Sequence, residues 1–174
     1  MLRAYKYRLY PSKAQAKLLG ATLEECRWLY NNTLSYRKQA WETQKRHADW
    51  HETKRRIPIL KQQRAWLKDV YSQVLQNVTE RVDLAYKAFF RRVAGGETPG
   101  YPRFKGKGRY DSFTYTQTGF KLDGSHLQLS KIGRVWLVLH RPIAGTVKTL
   151  TIRRSSTGKW YACFTAELPE PLPS

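Results

Sequence analysis

The period of the hydrophobic pattern changes twice along this chain, and that order restricts the fold more than any other feature. Residues 2–10, LRAYKYRLY, put Tyr5, Tyr7 and Leu9 on one side and Lys6 and Arg8 on the other, the two-residue period of a strand. About 85 residues of mostly helical pattern follow. The period then returns to two, and residues 112–118, 127–130, 134–140, 147–154 and 159–168 read as strands between Asp123-Gly124, Gly133, Pro142 and Thr157-Gly158. A lone strand leaves its backbone donors and acceptors unpaired, so the first strand must pair with the last ones. The pattern predicts an α+β chain: a small β-barrel of residues 1–10 and 111–168, interrupted by a helical insertion at 11–96 and a basic strap at 97–110. Pro169, Pro171 and Pro173 make 169–174 a linker stub.

Inside the insertion, Ser12 with Gln15 has the form of a capping box. A helical stripe follows at Ala16, Leu19, Leu23, Cys26, Tyr30 and Leu34, with a bend expected near Gly20. Residues 45–56 lose the pattern and read as a polar connection. A short helix is predicted from Pro58 to Trp66. Asp69 is expected to cap a long helix carrying Tyr71, Leu75, Val78, Val82, Ala85, Phe89 and Val93, which Gly95-Gly96 stops.

Charge narrows the function. The sequence holds 32 Lys and Arg against 13 Asp and Glu, a formal net charge of +19. Such an imbalance favours an anionic polymer as partner. Residues 1–110 carry 24 of those cations against 9 carboxylates, so the first part holds most of the field. No stretch offers the roughly 18 apolar residues of a spanning helix, and the N-terminus lacks the apolar core of a signal peptide. Cys26 and Cys163 form no CxxC pair and read as buried thiols in a reducing, cytoplasmic setting.

No active site is legible. The chain has no GxSxG, no GxxxxGK[ST] and no HExxH. His47, Asp49 and His51 offer two imidazoles and one short carboxylate, usable together only if His47 and His51 lie one helical turn apart, and the sequence offers no partners to orient them on a metal there. Asp49 and Asp69 read better as caps, and Glu80 and Asp83 as a solvated helix face.

Nucleic-acid contact has more support. The segment PGYPRFKGKGRY, residues 99–110, alternates Arg103, Lys105, Lys107 and Arg109 with Tyr101, Phe104 and Tyr110. Gly and Pro keep it out of a helix, so an extended edge could offer successive charges to phosphates; Phe104 and Tyr110 are expected to fold inward. Lys54 with Arg55 and Arg56 adds positive surface, as do Arg153-Arg154. Arg91 and Arg92 either join it or complement the end of the long helix. Ser72, Gln73, Gln76 and Asn77 on that helix either read base edges or form a wetted face. Trp28, Trp41, Trp66, Trp136 and Trp160 read as core, whereas Trp50, in the polar connection, has the best claim to exposure.

The stretches YKYRLYPSKAQAKLL, CRWLYN, LQNVTERVDLAYKAFFRR, PGYPRFKGKGR and SFTYTQTG, in this order, resemble the N-terminal half of TnpB. That family comprises the RNA-guided nucleases of small insertion sequences and is regarded as ancestral to the type V CRISPR effectors. The resemblance implies an oligonucleotide-binding-like wedge barrel with an inserted helical recognition lobe of helix-turn-helix type. It implies guide RNA and target DNA as partners, no membrane, and a prokaryotic, nucleoid-associated setting. It also implies that Trp50, Lys54, Ser72, Gln76 and Thr114 read a short target-adjacent motif, and that the strap lies along the nucleic-acid backbone. The basic surface at Arg55, Arg56, Arg91 and Arg92 is expected to join it there. The family's RuvC-like domain, with its G-I-D-x-G motif and Mg²⁺-binding carboxylates, has no counterpart before ELPEPLPS, nor do its CxxC pairs. The expectation is therefore a binding module without its own cofactor or cleavage chemistry, the RuvC domain being absent or supplied in trans. A standalone DNA-binding repressor or transposition accessory protein is the alternative reading, and a ribosome-associated protein a third.

Overall fold

Seven strands form one antiparallel sheet in a computed structural model that describes residues 1–170. The predicted stub falls partly on residues 171–174, outside the described residues. The chain divides into two compact units: Met1–Leu23 with the chain from Asp111 onward, and Glu24–Tyr110. The strap thus belongs to the same unit as most of the helices.

The sheet consists of β1 (Leu2–Tyr10), β2 (Ser112–Tyr115), β3 (Phe120–Asp123), β4 (His126–Leu129), β5 (Gly133–Leu137), β6 (Thr146–Arg154) and β7 (Trp160–Glu167). Their order is β2-β6-β7-β1-β5-β4-β3. The N-terminal strand therefore lies in the middle, between strands from the far end of the chain. It pairs with β7 from Leu2↔Glu167 to Leu9↔Trp160, and its last two residues pair with β5 as Leu9↔Leu137 and Tyr10↔Trp136. Tyr5, Tyr7 and Leu9 are buried, Tyr5 opposite Phe164 and Leu9 opposite Leu137, with the Tyr7 and Phe164 rings 5.9 Å apart. Each large apolar side chain there contributes about 1.5–3 kcal/mol over leaving it in water. The Tyr7 hydroxyl donates to the Arg141 carbonyl at 2.9 Å, which satisfies the one polar atom of a buried ring. At the sheet edges, the Tyr115 hydroxyl on β2 donates to the carbonyl of Ser130, just past β4, at 2.9 Å. The Tyr115 and Phe120 rings meet at 6.2 Å, so the sheet nearly closes into a barrel.

Strand β3 escaped the sequence reading. Its Phe120 and Leu122 alternate with Lys121 and Asp123, but over only four residues, at the short limit of a readable strand pattern. It is fixed instead by the Asp123↔His126 pair and the left-handed Gly124 (φ 59°) in the turn to β4, where glycine carries no Cβ penalty.

Helix α1 (Lys13–Gln44) begins in the sheet unit. The capping box is present: the Gln15 amide donates to Ser12 Oγ at 3.2 Å, and the Ser12 amide to Gln15 Oε1 at 2.9 Å. Gln15 Nε2 also donates to the Arg134 carbonyl at 2.6 Å, tying the helix start to β5. The helix continues through Gly20.

The helical unit takes the rest of α1, then α2 (Trp50–Arg55), α3 (Ile57–Gln63), a 3-10 turn over Ala65–Asp69, and α4 (Ser72–Ala94). Several expectations are corrected here. The predicted polar connection contains α2, whose N-cap is Asp49, accepting from the Glu52 amide at 2.9 Å. His47 precedes that helix, so it and His51 do not share a helical face. Asp69 closes the 3-10 turn and does not cap α4, which starts after Tyr71 with no side-chain cap. The end of α4 is as predicted: Glu97 donates to the Arg92 carbonyl and Gly96 (φ 72°) to that of Val93, the pairing of a Schellman motif.

Asp83 is the largest departure. It is 7% exposed and bonded to Arg37, itself 3% exposed, at 2.9 Å, with Lys87 at 3.1 Å on its other oxygen. Helical periodicity placed it on a wetted face because the arginine that covers it is 46 positions away. Burial opposes the Asp83 carboxylate, but the hydrogen bonds and charges of Arg37 and Lys87 outweigh it and hold the pKa below the usual aspartate value. A depressed folded pKa stabilises above the unfolded value of about 3.9 and is lost as pH falls below it. Asp83→Ala should cost about 3–5 kcal/mol, because it leaves the Arg37 charge buried and unpaired. Urea unfolding followed by circular dichroism measures this, and Asp83→Asn should flatten the loss of stability below about pH 4.

Candidate nucleic-acid interface

The strap contains no strand or helix, yet its backbone is fixed. The Lys105 amide donates to Asn31 Oδ1 at 2.8 Å, and Asn31 Nδ2 returns a bond to the Lys105 carbonyl at 2.9 Å. Arg27 Nη1 donates to that carbonyl at 3.1 Å. A side-chain amide bonded to both polar groups of one residue acts as a substitute strand partner. Nothing in the local sequence announces this, since Asn31 lies 74 positions from Lys105. Tyr110 anchors the end, buried, accepting from Arg81 at 3.2 Å. Burial raises its phenol pKa, and the Arg81 charge only partly offsets that.

With the main chain held, Arg103, Lys107 and Arg109 stand exposed, while Lys105 is half-buried beside the Tyr30 ring. The inward expectation holds for Tyr110 and fails for Phe104, which is 50% exposed with Lys38 Nζ 4.7 Å from its ring centre. An exposed ring under a cation is a surface on which a base can stack.

The basic cluster at the end of α2 separates into different roles. Arg55 is exposed. Arg56 turns inward: its guanidinium lies 3.8 Å from the Tyr36 ring centre and donates to Asn32 Oδ1 at 3.1 Å. Desolvation lowers its pKa, and this half-buried guanidinium packs against α1, whereas Arg55 faces outward. Arg91 and Arg92 are exposed in the last turn of α4, where they complement the helix dipole and remain open to phosphates.

Four of the five expected motif-reading residues lie on α2 and α4. Trp50 is half-buried, not exposed: its indole N–H donates to Thr79 Oγ1 at 3.0 Å, seating α2 on α4. Lys54 Nζ lies 4.5 Å from the Trp50 ring centre. Ser72 and Gln76 are exposed one turn apart on α4. Thr114 is on β2 in the sheet unit, its hydroxyl 2.8 Å from that of Thr151.

Trp41, Trp66 and Trp136, read as core, are 52%, 68% and 51% exposed; Trp160 is buried and Trp28 half-buried. Trp136 belongs to a surface that sequence reasoning missed. On the face of β1 opposite its core residues, Lys6 Nζ lies 4.4 Å and the Arg8 guanidinium 5.6 Å from the Tyr161 ring centre. Arg8 also lies 4.9 Å from Tyr10, whose ring meets Trp136 at 5.2 Å. The signal was the alternation of Lys6, Arg8 and Tyr10; its partners come from β7 and β5.

The remaining chemistry candidates are otherwise engaged. His47 Nε2 sits 3.1 Å from Arg37 Nη2. Among the described residues no group of three His, Cys, Asp or Glu is arranged to hold a metal ion. Both cysteines are free; Cys26 is buried, its thiol pKa pushed up to about 12 by desolvation, and Cys163 is half-buried. Among the described residues no helix is long and apolar enough to cross a membrane.

Residues 1–46 match a helix-turn-helix domain model of the OrfB type from IS605 elements; they are folded here as β1 and α1. The chain is 32% identical over 170 residues to the "Putative RNA-guided DNA endonuclease InsQ" of Escherichia coli (strain K12), covering 95% of this chain and 40% of that protein. It is 28% identical over 171 residues to a "Putative RNA-guided DNA endonuclease" of Streptomyces pristinaespiralis, covering 95% and 41%. It is also 29% identical over 119 residues to the "Virulence protein VsdF" of Salmonella dublin, covering 62% of this chain and 98% of that one. The chain thus spans about 40% of the two endonuclease-named relatives, and it corresponds to the N-terminal half of the TnpB family.

If the Asn31 bonds hold the strap, Asn31→Ala should loosen it locally. Tryptic cleavage after Lys105 and Lys107 should accelerate, while global stability falls by no more than about 2 kcal/mol for two lost hydrogen bonds. Timed digestion with mass spectrometry, beside thermal unfolding, separates the two effects.

Proposed function

We propose that this chain is the nucleic-acid-binding module of a TnpB-like RNA-guided DNA endonuclease, holding guide RNA and target DNA and reading a short motif beside the target. The sheet unit is the oligonucleotide-binding-like wedge, with the Lys6, Arg8, Tyr10, Tyr161 and Trp136 face as an RNA-contacting surface. The helical unit is the recognition lobe, with Ser72 and Gln76 reading base edges beside Trp50 and Lys54; Thr114, on β2 of the sheet unit, is assigned a motif contact of its own. Cleavage belongs to a RuvC-like domain outside these 174 residues, in the same polypeptide or in trans, and Mg²⁺ would be held there. The described residues of this chain supply no fitting ligand group, so no catalytic step is assigned to them. Such a module acts at the nucleoid in a prokaryotic cytoplasm, where its DNA lies.

The observation that carries this reading is the strap, three exposed cations on a main chain that Asn31 and Arg27 fix in place. A main chain already held lowers the ordering cost of contacting phosphates to that of the side chains themselves. Replacing Arg103, Lys107 and Arg109 together with Gln should weaken RNA binding at low salt. It should also reduce the slope of log K against log[salt] by about two to three units, since each lost phosphate contact removes about 0.7–0.9. An unchanged slope in a filter-binding titration would reduce the strap to a linker. Tight duplex binding without RNA would favour the repressor reading instead.

Motif reading has its own test. Gln76→Ala should cost about 1–3 kcal/mol on one base pair and relax preference there, leaving other positions unchanged. A target library selected with the complete guide-loaded nuclease, comparing the variant with the unsubstituted protein, reads this directly. An identical preference profile would return Gln76 to ordinary helix surface.

A further inference from the structure

The helical unit contains a cavity of about 370 Å³ that none of the roles above uses. Trp41 of α1, His47, Tyr86 and Phe90 of α4, and Tyr101 of the strap line it around Arg37. Small-ligand pockets run from roughly 300 to 1,000 Å³, so a single heteroaromatic ring fits inside. Trp41 is 52% exposed, Phe90 48% and Tyr101 40%, and His47 is exposed as well. Contacts among the rings hold the wall in place. Tyr86 stacks on Phe90 at 6.2 Å and 27°, its hydroxyl lies 3.1 Å from that of Tyr101, and His47 meets Phe90 edge-on at 5.5 Å.

The charge around the cavity selects the guest. Aromatic cages that take ammonium ions depend on a negative field. Here Lys45 Nζ lies 5.7 Å from the Trp41 ring centre and Lys38 Nζ 5.0 Å from that of Tyr101. Arg37 lies over Tyr86 at 4.2 Å. Of the two neighbouring carboxylates, Asp83 is neutralised by Arg37 and Lys87, which leaves Glu42. Residues 24–110 as a whole hold 19 Lys and Arg against 9 Asp and Glu. A cationic guest is repelled; a neutral flat ring tethered to an anionic backbone is attracted twice, by the rings and by the lysines.

We propose that this cavity captures one unpaired nucleobase of single-stranded RNA, stacked on Trp41 and Phe90, with Lys38 and Lys45 receiving the flanking phosphates. This deepens the proposed function and rests on it. RNA is the source chosen because its loops present splayed bases at no unpairing cost, whereas target DNA arrives paired and a base must first be extruded.

The probe is a ten-nucleotide RNA carrying one 2-aminopurine, titrated against the 174-residue chain. Stacking should quench the 2-aminopurine, and an abasic site in its place should weaken binding about 5- to 100-fold, the range for loss of one stacked base. Trp41→Ala and Phe90→Ala should weaken binding of the intact RNA by a similar factor and remove the penalty of the abasic site, while Trp41→Phe keeps most of both. Because both side chains are about half exposed, thermal unfolding should confirm that these variants stay folded. Equal affinity for the abasic RNA, or unaltered quenching in Trp41→Ala, would overturn the proposal and leave the cavity to another protein segment. Equal or tighter binding of the matching DNA oligomer would overturn the assignment to RNA. The salt slope keeps the two readings apart. A normal slope without base dependence rejects the cavity alone, and a chain that binds no RNA at any salt rejects the proposed function with it.

Discussion

The pairing of β1 with β7 is the constraint on which everything else depends. It joins Leu2 to Glu167 and Leu9 to Trp160, so the first ten residues have no stable place until nearly the whole chain is available. Closing so long a loop is entropically costly but only logarithmically so, and the cost is offset by a central strand buried on one face from Tyr5 to Leu9. Such non-local pairing slows folding. It also explains the division of the chain. Once residues 1–23 and those from 111 onward share one core, residues 24–110 form a second compact unit with a core of their own.

Periodicity was legible where one face of an element is buried by its own unit. The bounds of β1 agree with the pattern, Leu19, Leu23, Cys26, Tyr30 and Leu34 are buried as the stripe requires, and the glycines after α4 end it as expected. It failed where a remote partner decides. Asp83 looks solvated until Arg37 covers it, and Trp50 looks exposed until Thr79 accepts its indole hydrogen bond. β3 alternates over four residues only, so its pairing with β4 is what identifies it. The tryptophans erred the other way: general burial statistics favour a core position, yet Trp41, Trp66 and Trp136 stand at the surface. In a chain with this net charge, exposed rings beside cations are better read as contact surface.

The cations sort by the same logic. Arg37, Arg56 and Arg64 look like Arg55 and Arg103 in the sequence, but they are structural. Arg37 neutralises Asp83, Arg56 covers Tyr36, and Arg64 makes two bonds to Glu25 at 2.6 and 2.9 Å. A guanidinium can do this because its fixed fork satisfies several acceptors at once and its flat face packs on rings. Net charge therefore overstates the surface available to nucleic acid. What remains outward is spread over both units and includes the strap, the end of α4 and the outer face of β1.

The strap shows why those outward charges can be altered without disturbing the fold. Its position is set by backbone bonds to Asn31 and Arg27 and by the buried Tyr110 ring, none of which involves the ammonium or guanidinium groups of Arg103, Lys107 or Arg109. Exposed charges of this kind contribute little to stability, so the number and spacing of cations can change while the main chain stays in place. The aromatic cavity differs in this respect, because Tyr86 and Tyr101 both line it and hold the strap to α4. Affinity for phosphate is thus separable from folding, whereas the base-stacking surface is built partly from the packing that holds the helical unit together.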